Sequence, residues 1–185
     1  QCPNDQAPRA ARVDGRRLKS PMSLDNATST GDYVTEPDLP LSSMQAGILT
    51  EHMLAPEAAR YNVPVAFSIK GPLDLAAISR AVDCLVDRHE ILRTIYRDDG
   101  GDEPVQAIAP HIPSILRRIG DVDAGTFETR CRREAGRPFD LSLEPPVRAV
   151  LFEADADNHA LCLVFHHIAV DGWSIRLILD ELSRL

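Results

Sequence analysis

An α/β sandwich is the fold class this sequence predicts, and three stretches predict it. Leu161-Cys162-Leu163-Val164-Phe165 is an unbroken apolar run. Such a run marks a strand buried on both faces, since a strand with one wet face alternates. Tyr61 to Lys70, reading YNVPVAFSIK, does alternate, with Val63, Val65, Phe67 and Ile69 on one side. Leu73 to Arg93 spaces Leu75, Ile78, Val82, Leu85 and Val86 as one apolar stripe of a long amphipathic helix. Helices and strands that alternate along the chain, with no internal repeat, call for packing around one sheet.

The other elements follow in chain order. Residues 1–38 are polar and rich in Ser, Thr, Asp, Asn, Pro and Arg. They carry too little apolar surface to offset the entropy of ordering, so they are read as a linker or mobile tail, with Tyr33-Val34 expected to dock on the domain. The opening Gln1, in place of a methionine, is read as the start of a piece of something longer. The globular part, 39–185, begins with a helix that carries Met44, Ile48, Leu49 and Met53, capped by Ser42 or Ser43. Gly71-Pro72 stops the Tyr61 to Lys70 strand, and Asp74 suits the positive end of the next helix. Ile95-Tyr96 and Pro104 to Ala109 form strands around a turn at Asp98 to Asp102, and Ile115 to Ile119 forms another. Asp123 to Arg137 is helical, with Phe127, Cys131 and Ala135 one turn apart. Val147 to Glu153 returns as a strand, and Ala154 to Asn158 turns the chain into the apolar run.

That run ends in His166 and His167, followed by Ile168-Ala169-Val170 and Asp171-Gly172-Trp173-Ser174. Each imidazole at the end of a buried strand loses water and needs a partner for a ring nitrogen. Neighbouring side chains on an extended chain point to opposite faces, so one ring faces a cavity and the other faces structure. A histidine suits proton transfer because its pKa lies near neutrality, yet a hydrogen-bonded core pair fits the pattern equally well. Asp171 is placed to accept from the first free N–H groups of a helix carrying Ile175, Ile178 and Leu179. His, His and Asp at this spacing supply too few ligands for a metal, so none is expected.

Composition narrows the function classes. The 185 residues hold 20 Lys and Arg against 28 Asp and Glu, a net charge of −8 that argues against a sequence-independent nucleic-acid binder. No apolar run reaches the roughly 20 residues needed to span a bilayer, so no membrane is expected and a cytoplasmic location is. Cys2, Cys84, Cys131 and Cys162 form no CxxC pair, and Cys84 and Cys162 read as small buried hydrophobes.

Two motifs carry a resemblance. His166 to Ser174 reads HHxxxDGWS, which resembles the active-site motif of condensation domains of nonribosomal peptide synthetases. Arg88 to Thr94, RHEILRT, resembles that family's RHExLRT motif at every named position. Ser42 and Gln45 match the family's opening Ser-x-x-Gln, although Ala46-Gly47-Ile48 stands where Arg-Leu-Trp often follows. By pattern alone RHEILRT is an ordinary charged helix end, since basic residues favour the C-terminus.

The resemblance spans Leu39 to Leu185. It implies the chloramphenicol-acetyltransferase-like two-layer sandwich, as the first lobe of a two-lobe domain whose active site lies in the cleft between lobes. The C-terminal lobe is then missing, and the chain alone is expected to be inactive. The implied reaction is amide formation between an acyl or peptidyl thioester and an amine, each delivered on the phosphopantetheine arm of an upstream or downstream carrier domain. No cofactor is expected on this lobe itself. The implied catalytic residue is His167, as general base or as a positioner of the amine. His166, Asp171, Gly172, Arg88 and Arg93 support it: Arg88 pairs with Asp171, with Arg93 the other candidate partner, and Gly172 lets the backbone approach the reacting groups. Rival readings are an epimerization domain, an ester-forming HHxxxDG acyltransferase, and a non-catalytic carrier-docking module. Trp173-Ser174 has the condensation order rather than that of epimerization domains.

Overall fold

In the computed structural model, residues 38–98 and 103–185 are described. The elements run Leu39–Pro40 (β1), Ser43–Leu54 (α1), Asn62–Lys70 (β2), Leu75–Arg88 (α2), Thr94–Arg97 (β3), Val105–Ile108 (β4), Leu116–Ile119 (β5), Phe127–Ala135 (α3), Val147–Glu153 (β6), Asn158–His166 (β7) and Gly172–Leu182 (α4). The α/β alternation is as the sequence predicts. The expected tail up to residue 37, its Tyr33-Val34 contact and most of the turn before Pro104 lie outside the described residues.

Four strands form the main sheet in the order β2-β7-β6-β5. β7 is antiparallel to both neighbours, pairing Asn62 with His166 on one side and Val147 with Phe165 on the other. β5 runs parallel to β6. β3 and β4 do not join this sheet: with β1 they make a second one, ordered β1-β4-β3. The two-residue β1 escaped the sequence reading because nothing that short has a period to detect.

β7 shows why its sequence does not alternate. Leu161, Leu163 and Phe165 enter a core with Val147, Ala149 and Leu151 of β6, Val82, Leu85 and Val86 of α2, and Ile178 of α4. Ala160, Cys162 and Val164 enter a second core with Val150 and Phe152 of β6, Cys131 of α3, Leu49 of α1 and Tyr96 of β3. Both pleat faces are dry, so every position is apolar. β2, at the sheet edge, keeps the alternation. Val63, Val65 and Ile69 pack on the first core, while Phe67 on the same side stays 39% exposed. Of the cysteines, Cys162 is fully buried and Cys84 only in part.

Helix ends follow local chemistry. Ser42, not Ser43, caps α1: its Oγ accepts from Gln45 N–H at 3.2 Å, and Gln45 Oε1 accepts from Ser42 N–H at 2.9 Å. Gln45 also donates from Nε2 to Gln106 Oε1 at 3.1 Å, tying α1 to β4. Asp74 caps α2 by accepting from Ala76 and Ala77 N–H. α2 stops at Arg88, short of the expected Arg93, because His89 is extended (φ −106°, ψ 98°) and a 3₁₀ turn, Glu90–Arg93, follows. That break drives Leu92 into the core at 0% exposure. No helix among the described residues is long and apolar enough to cross a membrane.

Candidate active site

The end of β7 is pinned from both sides. His166 N–H donates to the Pro146 carbonyl at 2.9 Å, and His167 N–H donates to the Tyr61 carbonyl at 2.8 Å. Beyond them the chain tightens, with Ala169 N–H donating to the His166 carbonyl at 3.0 Å. Ile168 and Val170 plug the loop into the two opposite cores.

The two histidines part company as neighbours on an extended chain must. His166 continues the Ala160-Cys162-Val164 face and is 1% exposed. The His52 ring of α1 stands edge-on to it at 5.0 Å and 88°, and Phe139 does so at 5.8 Å and 86°. Its Nδ1 accepts from Ile168 N–H at 3.2 Å, which places the ring proton on Nε2. Burial, then the neighbouring charges of His52, His167 and Arg148, push its pKa down to about 4. A ring held neutral in this way braces the loop and takes no proton at neutral pH.

His167 is exposed. Its Nδ1 lies 2.6 Å from the Val170 carbonyl oxygen. A carbonyl can only accept, so Nδ1 carries the proton and, in the neutral ring, Nε2 carries the lone pair. The loop therefore presents one imidazole in the tautomer a general base needs, with its other nitrogen already occupied.

The ion pair expected at Asp171 does not form. Asp171 is exposed and is the N-cap of α4: its Oδ1 accepts Ser174 N–H at 2.7 Å and Ser174 Oγ–H at 2.6 Å, and these bonds hold its carboxyl below the usual range. Arg88 pairs instead with Glu181, which also receives His89 Nε2 at 2.7 Å. The reason is position along α4. Asp171 and Glu181 stand at opposite ends of that helix, roughly 15 Å apart at about 1.5 Å per residue. An arginine closing α2 meets the far end. Arg93 is not a partner either: it is 9% exposed, donates from Nη1 to the Ala109 carbonyl, and approaches Glu90 Oε1 at 3.5 Å.

Gly172 opens α4 in the open: a Cβ built on it would meet nothing within 4 Å, and its φ is not positive. The loop thus brings together His166, His167, Asp171 and Gly172, while Arg88 and Arg93 act elsewhere. Sequence reasoning missed His52 and Glu181. For Glu181 a signal existed, since an arginine followed by a histidine at the end of α2 offers two donors that suit a carboxylate. For His52 there was none. Among the described residues no group of three or more His, Cys, Asp or Glu is placed to hold a metal.

Residues 35–185 match the family model described as Condensation domain. The chain belongs to the condensation-domain family. This condensation-domain chain is 41% identical over 148 residues to a probable non-canonical nonribosomal peptide synthetase, CymA, of Salinispora arenicola, covering 78% of the chain and 2% of that protein. It is 37% identical over 153 residues to the chondramide synthase cmdD of Chondromyces crocatus, covering 80% of the chain and 4% of the synthase. The first condensation domain of the calcium-dependent antibiotic synthetase, solved with a substrate analogue, superposes with a TM-score of 0.68 at 27% identity, covering 80% of this chain and 37% of that one. The chain therefore spans a few per cent of these curated relatives and little more than a third of that solved structure.

Proposed function

We propose that this chain is the histidine-bearing lobe of a condensation domain that forms an amide between an acyl or peptidyl thioester and an amine, both carrier-bound. The observation that carries the reading is the His167 ring, exposed at a strand end with Nδ1–H tied to Val170 and Nε2 left to accept a proton.

The chemistry asks little more of this lobe. The amine nitrogen attacks the thioester carbonyl, a C–N bond forms, the C–S bond breaks, and the carrier thiol leaves. The attacking nitrogen carries a proton that must go, and Nε2 of His167 takes it or, by accepting a hydrogen bond, orients the amine. His166, neutral and caged, holds the loop on which this depends. Both substrates arrive on phosphopantetheine arms of partner carrier domains, and a second lobe closes the channel in which they meet.

The test offers the complete domain a donor-loaded carrier and two acceptor carriers, one bearing an amine and one the matching hydroxy acid. Amide as the dominant product supports the reading. Ester alone, or a donor released with inverted configuration and no coupling, assigns the site to an ester-forming acyltransferase or to epimerization.

A further inference from the structure

We propose that Glu181 is a positioning residue for His167, acting through the axis of α4; the inference rests on the amide-forming reading of the site. α4 continues the histidine loop without a break. Asp171 is its N-cap, and the carbonyl that holds His167 Nδ1 belongs to the residue before it, Val170. The rotation and slide of α4 therefore bear on that carbonyl, alongside the packing of the Val170 side chain.

Apolar packing alone does not set them. Ile178 is buried with Val82, Leu85 and Val86 of α2, and Ile175, Leu179 and Leu182 pack against that core only in part, under a driving force that is itself non-directional. The directional contact is at the other end. The Glu181 carboxylate, 20% exposed, receives Arg88 Nη1 on Oε1 and His89 Nε2 on Oε2 at 2.7 Å. Charge-assisted bonds to two consecutive residues define an orientation as well as a distance. Burial pushes the Glu181 carboxyl up, but the His89 bond and the charges of His89 and Arg88 together hold it below the usual range. Arg88 and His89 open the RHEILRT segment, so that motif reaches the active-site loop through α4 rather than through Asp171.

The tolerance is small. The His167 to Val170 bond is 2.6 Å long. A displacement of about 1 Å directed along that bond would carry it to about 3.6 Å, beyond hydrogen-bonding distance.

The experiment reads the His167 tautomer directly, by ¹⁵N NMR of histidine-labelled complete domain, with the signal assigned by its loss in His167→Ala. Wild type shows the Nδ1–H form. Glu181→Ala is expected to shift the ring toward the Nε2–H form and to lower kcat roughly 10- to 100-fold with KM for the acceptor changed less than about twofold. Glu181→Gln, which keeps an oxygen for one of the two donors, falls between. A wild-type tautomer in both variants overturns the proposal, and if the alanine variant does not fold the glutamine variant decides alone. Failure of the wild-type domain to make amide would instead remove the proposed function and leave the tautomer result standing.

Discussion

The Nδ1–H of His167 is held by the Val170 carbonyl at 2.6 Å, three residues further along the same loop. This is a short-range bond with long-range support: β7 delivers the ring, Ile168 and Val170 anchor the turn in opposite cores, and α4 starts where the turn ends. The ring nitrogen left to accept a proton is selected by a backbone carbonyl, with no carboxylate among the described residues in direct contact with the other one.

His166 gives the fold a pH dependence with a definite sign. Its native pKa is about 4 against 6.5 for an ordinary histidine. Below pH 6.5 the unfolded chain binds a proton on this ring while the native state refuses it until about pH 4, so stability falls as pH drops through that window. Denaturant unfolding between pH 7 and pH 4 should show wild type losing on the order of 3 kcal/mol more than His166→Phe, which cannot titrate. Parallel pH profiles for the two proteins would remove the buried-neutral assignment.

Asp171 is a helix cap, and caps and cores respond differently. Asp171→Asn retains the acceptor for Ser174 and is expected to melt with wild type, whereas Asp171→Ala melts lower. Leu163→Ala, in the strand behind the loop, should cost about 2–5 kcal/mol by opening a cavity in a site that is 2% exposed. If Asp171→Asn instead cost as much as the core truncation, a buried ion pair would have to be sought after all.

Gly172 separates folding from function. With open space around its Cα and an ordinary φ, Gly172→Ala should leave stability within about 1 kcal/mol of wild type or raise it. Calorimetry reads this directly. A large loss of stability would mean the loop conformation needs glycine; a loss of turnover alone would mean the reacting groups do.

Much of this arrangement was legible in the sequence. The apolar run of β7, the stripe of α2, a cap for α1 at Ser42 or Ser43, the charge of Asp74 near the start of α2 and the cap at Asp171 are local patterns, and each element forms near where they place it. The parity of His166 and His167 was legible too, because it follows from the pleat. What escaped was set by distance along the chain. Arg88 and Glu181 are 93 residues apart, so no local pattern links them, and the expectation of an Arg88–Asp171 pair took the motif-bearing acid over the one that α2 reaches. His52 gives no signal in the sequence; only the approach of α1 to the end of β7 makes it a wall of the His166 cage. The break at His89 carries no Gly or Pro, and the helical spacing runs through it.

The most direct measurement is single-turnover product formation by the complete domain, wild type against His167→Ala, with both carriers loaded beforehand and their loading quantified. The account predicts a fall of roughly 10²- to 10⁴-fold in the rate of amide formation with carrier loading unchanged. Turnover by His167→Ala near the wild-type rate would contradict it.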